Sequence, residues 1–301
     1  MGASIAWAPL YRRSMIRRSL WWLAGLWLSC VAGAAGIYLL FIRTATGQRL
    51  DMAALSATDA LPGAVVVDAG TFLDAIGIST LAVIAFVIGG LALTRGRYAL
   101  AFAAAVVVVG SNVTTQILKG SLLERPLLVQ DLPFHPNSYP SGHATVAASL
   151  AVAAFLVVSH RVRAPVALTA TVFAAAVGVS TVVAGWHRPS DVIGAWLVVG
   201  SWGALATGVL LAARGSTVAP ERDRWRTRGE MALLVGGVGA LGVFLATTGG
   251  WMWLRVANPD GLAWLTTGMA LAVAASGIVG SSLAVAGGLV FAVRRLTFEP
   301  A

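Results

Sequence analysis

The sequence predicts an all-α, polytopic membrane bundle of eight transmembrane helices, and three observations carry that prediction. Of 301 residues, 58% are hydrophobic and 11% charged, and the mean hydropathy is +0.83, a composition suited to bilayer rather than water. Uncharged apolar runs recur at the length of about 20 residues that one helical crossing of a roughly 30 Å hydrocarbon core requires. The runs are continuous and rich in Ala, Leu and Val, whereas a membrane β-barrel alternates apolar and polar residues in segments of about ten.

In chain order the predicted spans cover residues 19–42, 75–94, 98–118, 141–159, 164–184, 192–213, 231–249 and 265–293. Arg12, Arg13, Arg17 and Arg18 precede the first, as in a signal peptide. Its apolar run from Leu20 to Ile42 exceeds the roughly 7 to 15 residues of a signal core, so it reads as a retained anchor. Behind a basic N-terminal segment, 1–18, spans one to six form a core over 19–213; a basic linker, 214–230, leads to the last two spans within 231–301. The linker is expected to meet anionic lipid. Spans seven and eight hold no ionisable residue in their interiors and many small ones, including Gly236, Gly237, Gly239, Ser276, Gly277 and Ser281. Helix packing or a homodimer contact is their expected role. The segment from Arg43 to Asp74, with Asp51, Asp59, Asp68 and Asp74, is expected to be a solvated loop, with Leu61, Val65, Val66 and Val67 as a short interfacial stretch. Cys30 is the single cysteine, which excludes an intramolecular disulfide and a multi-cysteine metal site.

Charge sets the expected orientation. With the N-terminus inside, the internal segments carry fifteen of the twenty-one basic residues, and the external ones hold eight of the twelve acids. That asymmetry predicts N-in, C-in topology in the cell membrane. It also accounts for the net charge of +9 without nucleic acid. External cations then become the anomaly: Lys119, Arg125 and Arg188 sit in the same layer as His135, His143 and His187, while His160 lies inside in the basic turn SHRVR.

Three motifs occupy that layer. In KGSLLERP, Lys119 and Arg125 lie six residues apart, about 9 Å on a continuous helix, and a mobile ammonium with a planar guanidinium suits one phosphoryl group. Headgroup anchoring by snorkelling cations is the ordinary alternative. In PSGHAT, Ser141 is a candidate N-cap for the fourth span, and Gly142 lets an oxyanion approach the free N–H groups of the first turn. His143 follows beside that anion site, or is simply interfacial. In GWHRPSD, Pro189 fits the first helical position, which puts Asp191 in the first turn with His187 in reach of its carboxylate. Such a pair fixes the imidazole tautomer and frees the other nitrogen as base, nucleophile or ligand; a surface ion pair is the alternative. All three motifs on one face are what turns them into a candidate site.

These residues resemble the signature of the type 2 phosphatidic acid phosphatase superfamily, the membrane lipid phosphatases related to vanadium haloperoxidases. PSGH is complete, and Ser180, His187 and Asp191 match the third motif in spacing. The resemblance implies that His187 is the nucleophile forming a phosphohistidine, Asp191 its orienting partner and His143 the general acid. Lys119, Arg125, Ser141 and Gly142 would hold the phosphoryl oxygens, with no metal and no cofactor. The substrate implied is a lipid phosphomonoester or pyrophosphate, of polyprenyl or phosphatidate type. Two departures stand out: five residues rather than six separate Lys119 and Arg125, and Thr181 occupies the third-motif arginine position, for which Arg188 is the candidate substitute.

Other readings remain open on sequence. A zinc site could use His143, His187 and Asp191, a phosphotransferase would share the chemistry, and a scaffold or transporter could bind lipid phosphate without turnover. No internal repeat suggests a two-halved transporter. Trp21, Trp22, Trp27, Trp251, Trp253 and Trp264 suit an aromatic belt, and Trp186 either packs or lines a lipid entry path.

Overall fold

Long apolar runs with few breakers leave helix as the only way to satisfy backbone polar groups in hydrocarbon, and the computed structural model of the chain is helical throughout its core. It describes residues 7–130, 136–214, 217–218, 263–294 and 296–297, with Leu233, Gly236, Gly237, Gly239 and Val243 between. Helix α1 (Trp7–Ile37) ends in a π turn (Tyr38–Ile42), followed by α2 (Ala45–Ser56), a short 3-10 turn (Ala57–Ala60), α3 (Gly63–Ala75) and α4 (Ile78–Thr94). Helix α5 (Tyr98–Ile117) also closes in a π turn (Leu118–Leu122). Then come α6 (Gly142–Val157), α7 (Arg163–Val183), α8 (Pro189–Arg214) and α9 (Ala263–Ala292). Thr217–Val218 pairs antiparallel with Leu296–Thr297 just beyond α8 and α9.

Five helical stretches, 12–42, 98–122, 163–183, 189–213 and 269–292, are long and apolar enough to cross a membrane. The number rises to six if α2 with its 3-10 turn and α3, bent by 110°, count as one broken span. The expectation of eight is therefore not met among the described residues. Two of the expected spans, near α4 and α6, are shorter helices, and most of the expected span 231–249 lies outside the described residues. At 16 residues α6 is about 24 Å long, short of the hydrocarbon thickness. It is also among the most enclosed helices, with Ala144, Ala148, Val152 and Phe155 all fully buried. Protein rather than lipid is its main surround, so lipid thickness does not set its length.

The segment from Arg43 to Asp74 corrects the solvated-loop expectation. Thr44 caps α2, its Oγ1 accepting the Gly47 N–H at 3.0 Å, and Gly47 passes so close to Leu40 and Phe41 that a Cβ there would strike their backbone. Gly47, Gln48, Asp51, Met52 and Ala54 form the inner face of α2. The inner face repeats at helical spacing but, Met52 apart, is built from small and polar residues, so hydrophobic periodicity does not announce it.

Helix α8 is the axis of the core, with Val192, Ala195, Trp196 and Val199 inaccessible to solvent. It packs against α1, α5, α6, α7 and α9. At its upstream end Gly194 lies under the ring of Tyr139, whose hydroxyl donates to the Ala34 carbonyl at 2.7 Å. A Cβ at Gly194 would occupy the space of that ring.

The two ends of the bundle differ in charge. At one, Arg97 donates to the Val157 carbonyl at 2.8 Å, Arg163 to Val293 at 3.5 Å and Ser19 to Ala292 at 2.6 Å. At the other, Tyr38 donates to the Glu124 carbonyl at 3.0 Å and the Ser141 N–H to the Asp191 carbonyl at 2.9 Å. Both motif histidines, His143 and His187, belong to this second end.

Replacing Gly194 by Val should displace Tyr139 and cost about 1–3 kcal/mol, the usual range for overpacking. The measurement is the thermal midpoint of the detergent-solubilised protein. An unchanged midpoint would contradict the close approach described for α8.

Candidate active site

The first motif enters the site from α5. After the π turn, Leu123 turns extended at φ −112°, ψ 132°, and Gln48 of α2 grips the extended stretch. Its amide donates to the Pro126 carbonyl at 2.6 Å and accepts from the Leu128 N–H at 3.3 Å. Lys119 and Arg125 are thus not on one continuous helix, so the separation of about 9 Å expected for one does not apply. The residue after Glu124 precedes Pro126, a position that disfavours helix. Lys119 stays half-exposed on the π turn, whereas the Arg125 side chain is 6% exposed and lies 3.6 Å from Asp51 through Nη2. Its Nη1 has no hydrogen-bond partner among the described residues.

The second motif is held where α6 begins. Ser141 is the N-cap, extended at φ −67°, ψ 125°, its Oγ accepting the Ala144 N–H at 3.3 Å. Thr145 donates back to the Ser141 carbonyl at 2.7 Å and pairs with Thr115 of α5 at 3.0 Å. Ser141 is fully buried, while Gly142 is half-exposed and His143 exposed. The first-turn N–H groups at Gly142 and His143 therefore open toward the end of the bundle, where helix dipole and free donors favour an anion.

The third motif turns on Gly185, whose φ of +75° lies in the left-handed region glycine tolerates best. The turn ends α7, and Trp186 and His187 donate their N–H groups to the Thr181 carbonyl at 2.9 and 3.1 Å. Pro189 then opens α8, with Asp191 in its first turn. His187 Nδ1 lies 3.4 Å from Asp191 Oδ2. The same oxygen accepts from Ser138 Oγ at 2.6 Å and from the Arg188 N–H at 3.0 Å. Asp191 is fully buried and His187 is 7% exposed. With Nδ1 facing the carboxylate, Nε2 is the nitrogen free for chemistry. The His143 and His187 rings are 6.2 Å apart, centroid to centroid, and exposed Trp186 stands 5.4 Å from His143.

Arg188 points inward rather than to solvent. Its Nη1 donates to Ser138 Oγ at 2.9 Å and its Nε lies 3.4 Å from Met52 Sδ. Burial and the neighbouring Arg125 lower its pKa from the ordinary arginine value, against the pull of Asp191 and Asp51. Two enclosed guanidiniums thus act on one another in the same region. Thr181 is fully buried, with its hydroxyl on the Gly178 carbonyl at 2.7 Å.

The structure brings His187, Asp191, Arg188, Arg125, Ser141, Gly142 and His143 to one end of the bundle, with Lys119 at its edge. His135 lies outside the described residues. Two side chains were missed on sequence. Ser138 links Asp191 to Arg188, and its only advance sign is its place two residues before the PSGH motif. Asp51 accepts the Ser190 N–H at 3.1 Å and the Ser190 hydroxyl at 2.6 Å, besides facing Arg125. Burial first, then the Asp191 charge, push its pKa up to about 6, with Arg125 and Ser190 opposing. Among the described residues no three His, Cys, Asp or Glu side chains are grouped to hold a metal ion.

Residues 100–214 match the family model described as the PAP2 superfamily. No curated protein and no solved structure matches the chain.

The raised Asp51 pKa carries a sign. A carboxyl that is less acidic folded than unfolded contributes stability below its ordinary value of 3.8 and loses it as pH rises through about 6. Asp51→Asn cannot ionise, so its thermal midpoint should gain on that of the wild type between about pH 4 and about pH 7. A difference that stays flat, or moves the other way, would show that Asp51 is not a costly buried anion.

Proposed function

We propose, from the premise that the chain belongs to the PAP2 superfamily through residues 100–214, that it is a multi-pass membrane phosphatase acting on the phosphomonoester or pyrophosphate of a lipid. The superfamily consists mostly of phosphatases, and the observation that carries the reading is the buried His187–Asp191 pair with His143 across from it. In the first step His187 Nε2 attacks phosphorus, the bond to the leaving oxygen breaks, and His143 gives that oxygen its proton. In the second, His143 takes a proton from water, which attacks the phosphohistidine and releases orthophosphate with His187 restored. Asp191 holds the attacking tautomer and offsets the charge that develops on the ring.

Arg125, Arg188, Lys119 and the N–H groups at Gly142 and His143 are the donors for the phosphoryl oxygens, positioned before charge develops. Arg188 supplies the cation that Thr181 does not. No step calls for a metal ion. The apolar surface of the surrounding helices favours a lipid whose phosphate reaches the end of the bundle while its chains stay in hydrocarbon; polyprenyl pyrophosphate and phosphatidate both fit. The concentration of arginines at the opposite end supports a site on the extracytoplasmic face of the cell membrane.

Purified protein in detergent should release orthophosphate from such lipids with no alcohol acceptor present, and should do so in chelator. His187→Ala should abolish release, and His143→Ala should slow it about 10²- to 10⁴-fold, the usual contribution of a general acid. Turnover that survives His187→Ala would overturn the assignment, and loss of activity in chelator would restore a metal mechanism.

A further inference from the structure

Asp51 belongs to α2, outside the matched segment 100–214, yet its carboxylate reaches two parts of the site at once. One oxygen accepts the Ser190 N–H at 3.1 Å. The other accepts the Ser190 hydroxyl at 2.6 Å and faces Arg125 Nη2 at 3.6 Å. Ser190 lies in the first turn of α8, between Arg188 and Asp191, so one side chain ties the first-motif cation to the helix start that carries the third motif. The adjacent Met52 touches Arg188 through sulfur at 3.4 Å, and Gln48, one turn earlier, grips the extended backbone around Arg125. The inner face of α2 thus meets both guanidiniums of the site.

The arrangement leaves Arg125 half-paired. Nη2 has a carboxylate, while Nη1 is buried with no acceptor among the described residues. A planar guanidinium held at one edge has its other edge fixed in direction, ready for a second anion. Burying a charged donor without a partner costs free energy unless a ligand completes it.

We propose that Asp51 is a positioning residue for the reaction, holding one edge of the Arg125 guanidinium against the start of α8 so that the other edge faces the substrate phosphoryl group. The proposal rests on the phosphatase reading of the site. Asp51 does not itself touch substrate; it acts through Arg125. Its two oxygens join Arg125 to the Ser190 N–H and hydroxyl, so the side chain sets where Arg125 stands relative to the start of α8.

The test compares Asp51→Ala, Asp51→Asn, Arg125→Ala and the Asp51→Ala/Arg125→Ala double variant in the full-length protein, reading KM and kcat on a lipid phosphate and inhibition by orthovanadate. Asp51→Ala should raise KM and the orthovanadate inhibition constant about tenfold, the size of one misaligned charge-assisted hydrogen bond, with a smaller change in kcat. The double variant should be no worse than Arg125→Ala, since Asp51 has nothing left to aim. Asp51→Asn keeps an acceptor for Ser190, so it serves if the alanine variant does not fold, and it should show the same shift in smaller measure. Effects that multiply in the double variant, or an inhibition constant unchanged in both Asp51 variants, would overturn the proposal while leaving the phosphatase reading intact. A wild type that neither releases phosphate nor responds to orthovanadate would instead overturn that reading, and the role of Asp51 with it.

Discussion

The candidate site depends on one buried carboxylate oxygen. Asp191 Oδ2 faces His187, the Ser138 hydroxyl and the Arg188 backbone N–H together, and the Asp191 carbonyl receives the N–H of Ser141. Through these bonds the first turn of α8 fixes the histidine, the segment leading into α6 and the N-cap of α6 itself. Burial makes the arrangement exacting, because a carboxylate out of water is tolerated only when its partners are in place. The ring of His187 therefore has a set direction, which is the preorganisation that the proposed phosphoryl transfer calls for.

Around that oxygen the protein encloses Asp51, Asp191, Arg125 and Arg188, two acids and two guanidiniums. The set is neutral in formal charge but not fully paired: like charges act on one another across it, and Arg125 Nη1 and Asp191 Oδ1 lack hydrogen-bond partners among the described residues. Unpaired donors and mutual repulsion between cations are costs to the fold, and under the proposed function a phosphoryl group between them would offset those costs. The remaining core offsets such costs through close apolar packing, with α8 as its axis.

Much of this was legible in the sequence, for stated physical reasons. Continuous apolar runs gave the helical class, Pro189 and Asp191 marked the start of α8, Ser141 was readable as an N-cap, and the His187–Asp191 spacing foretold their contact. What escaped lay where apolar periodicity is silent. The inner face of α2 includes Gly47, Gln48 and Asp51, whose helical spacing is hidden by residue types that also suit a solvated loop. The separation of about 9 Å between Lys119 and Arg125 holds only on a continuous helix, and the π turn and the extended backbone before Pro126 intervene. The eight-span count is not reached among the described residues, where α4 and α6 are shorter apolar helices, since composition does not show how far a neighbouring helix shields a short one from lipid.

The proposed function turns on transfer of the phosphoryl group to the ring of His187. Quenching the enzyme during turnover of a lipid labelled in the transferred phosphoryl group, then locating the label by peptide mapping, tests that step most directly. An acid-labile, base-stable phosphoryl group is expected on His187, absent when that residue is alanine. Label on another residue, or turnover with no labelled protein at any time after mixing, would contradict it.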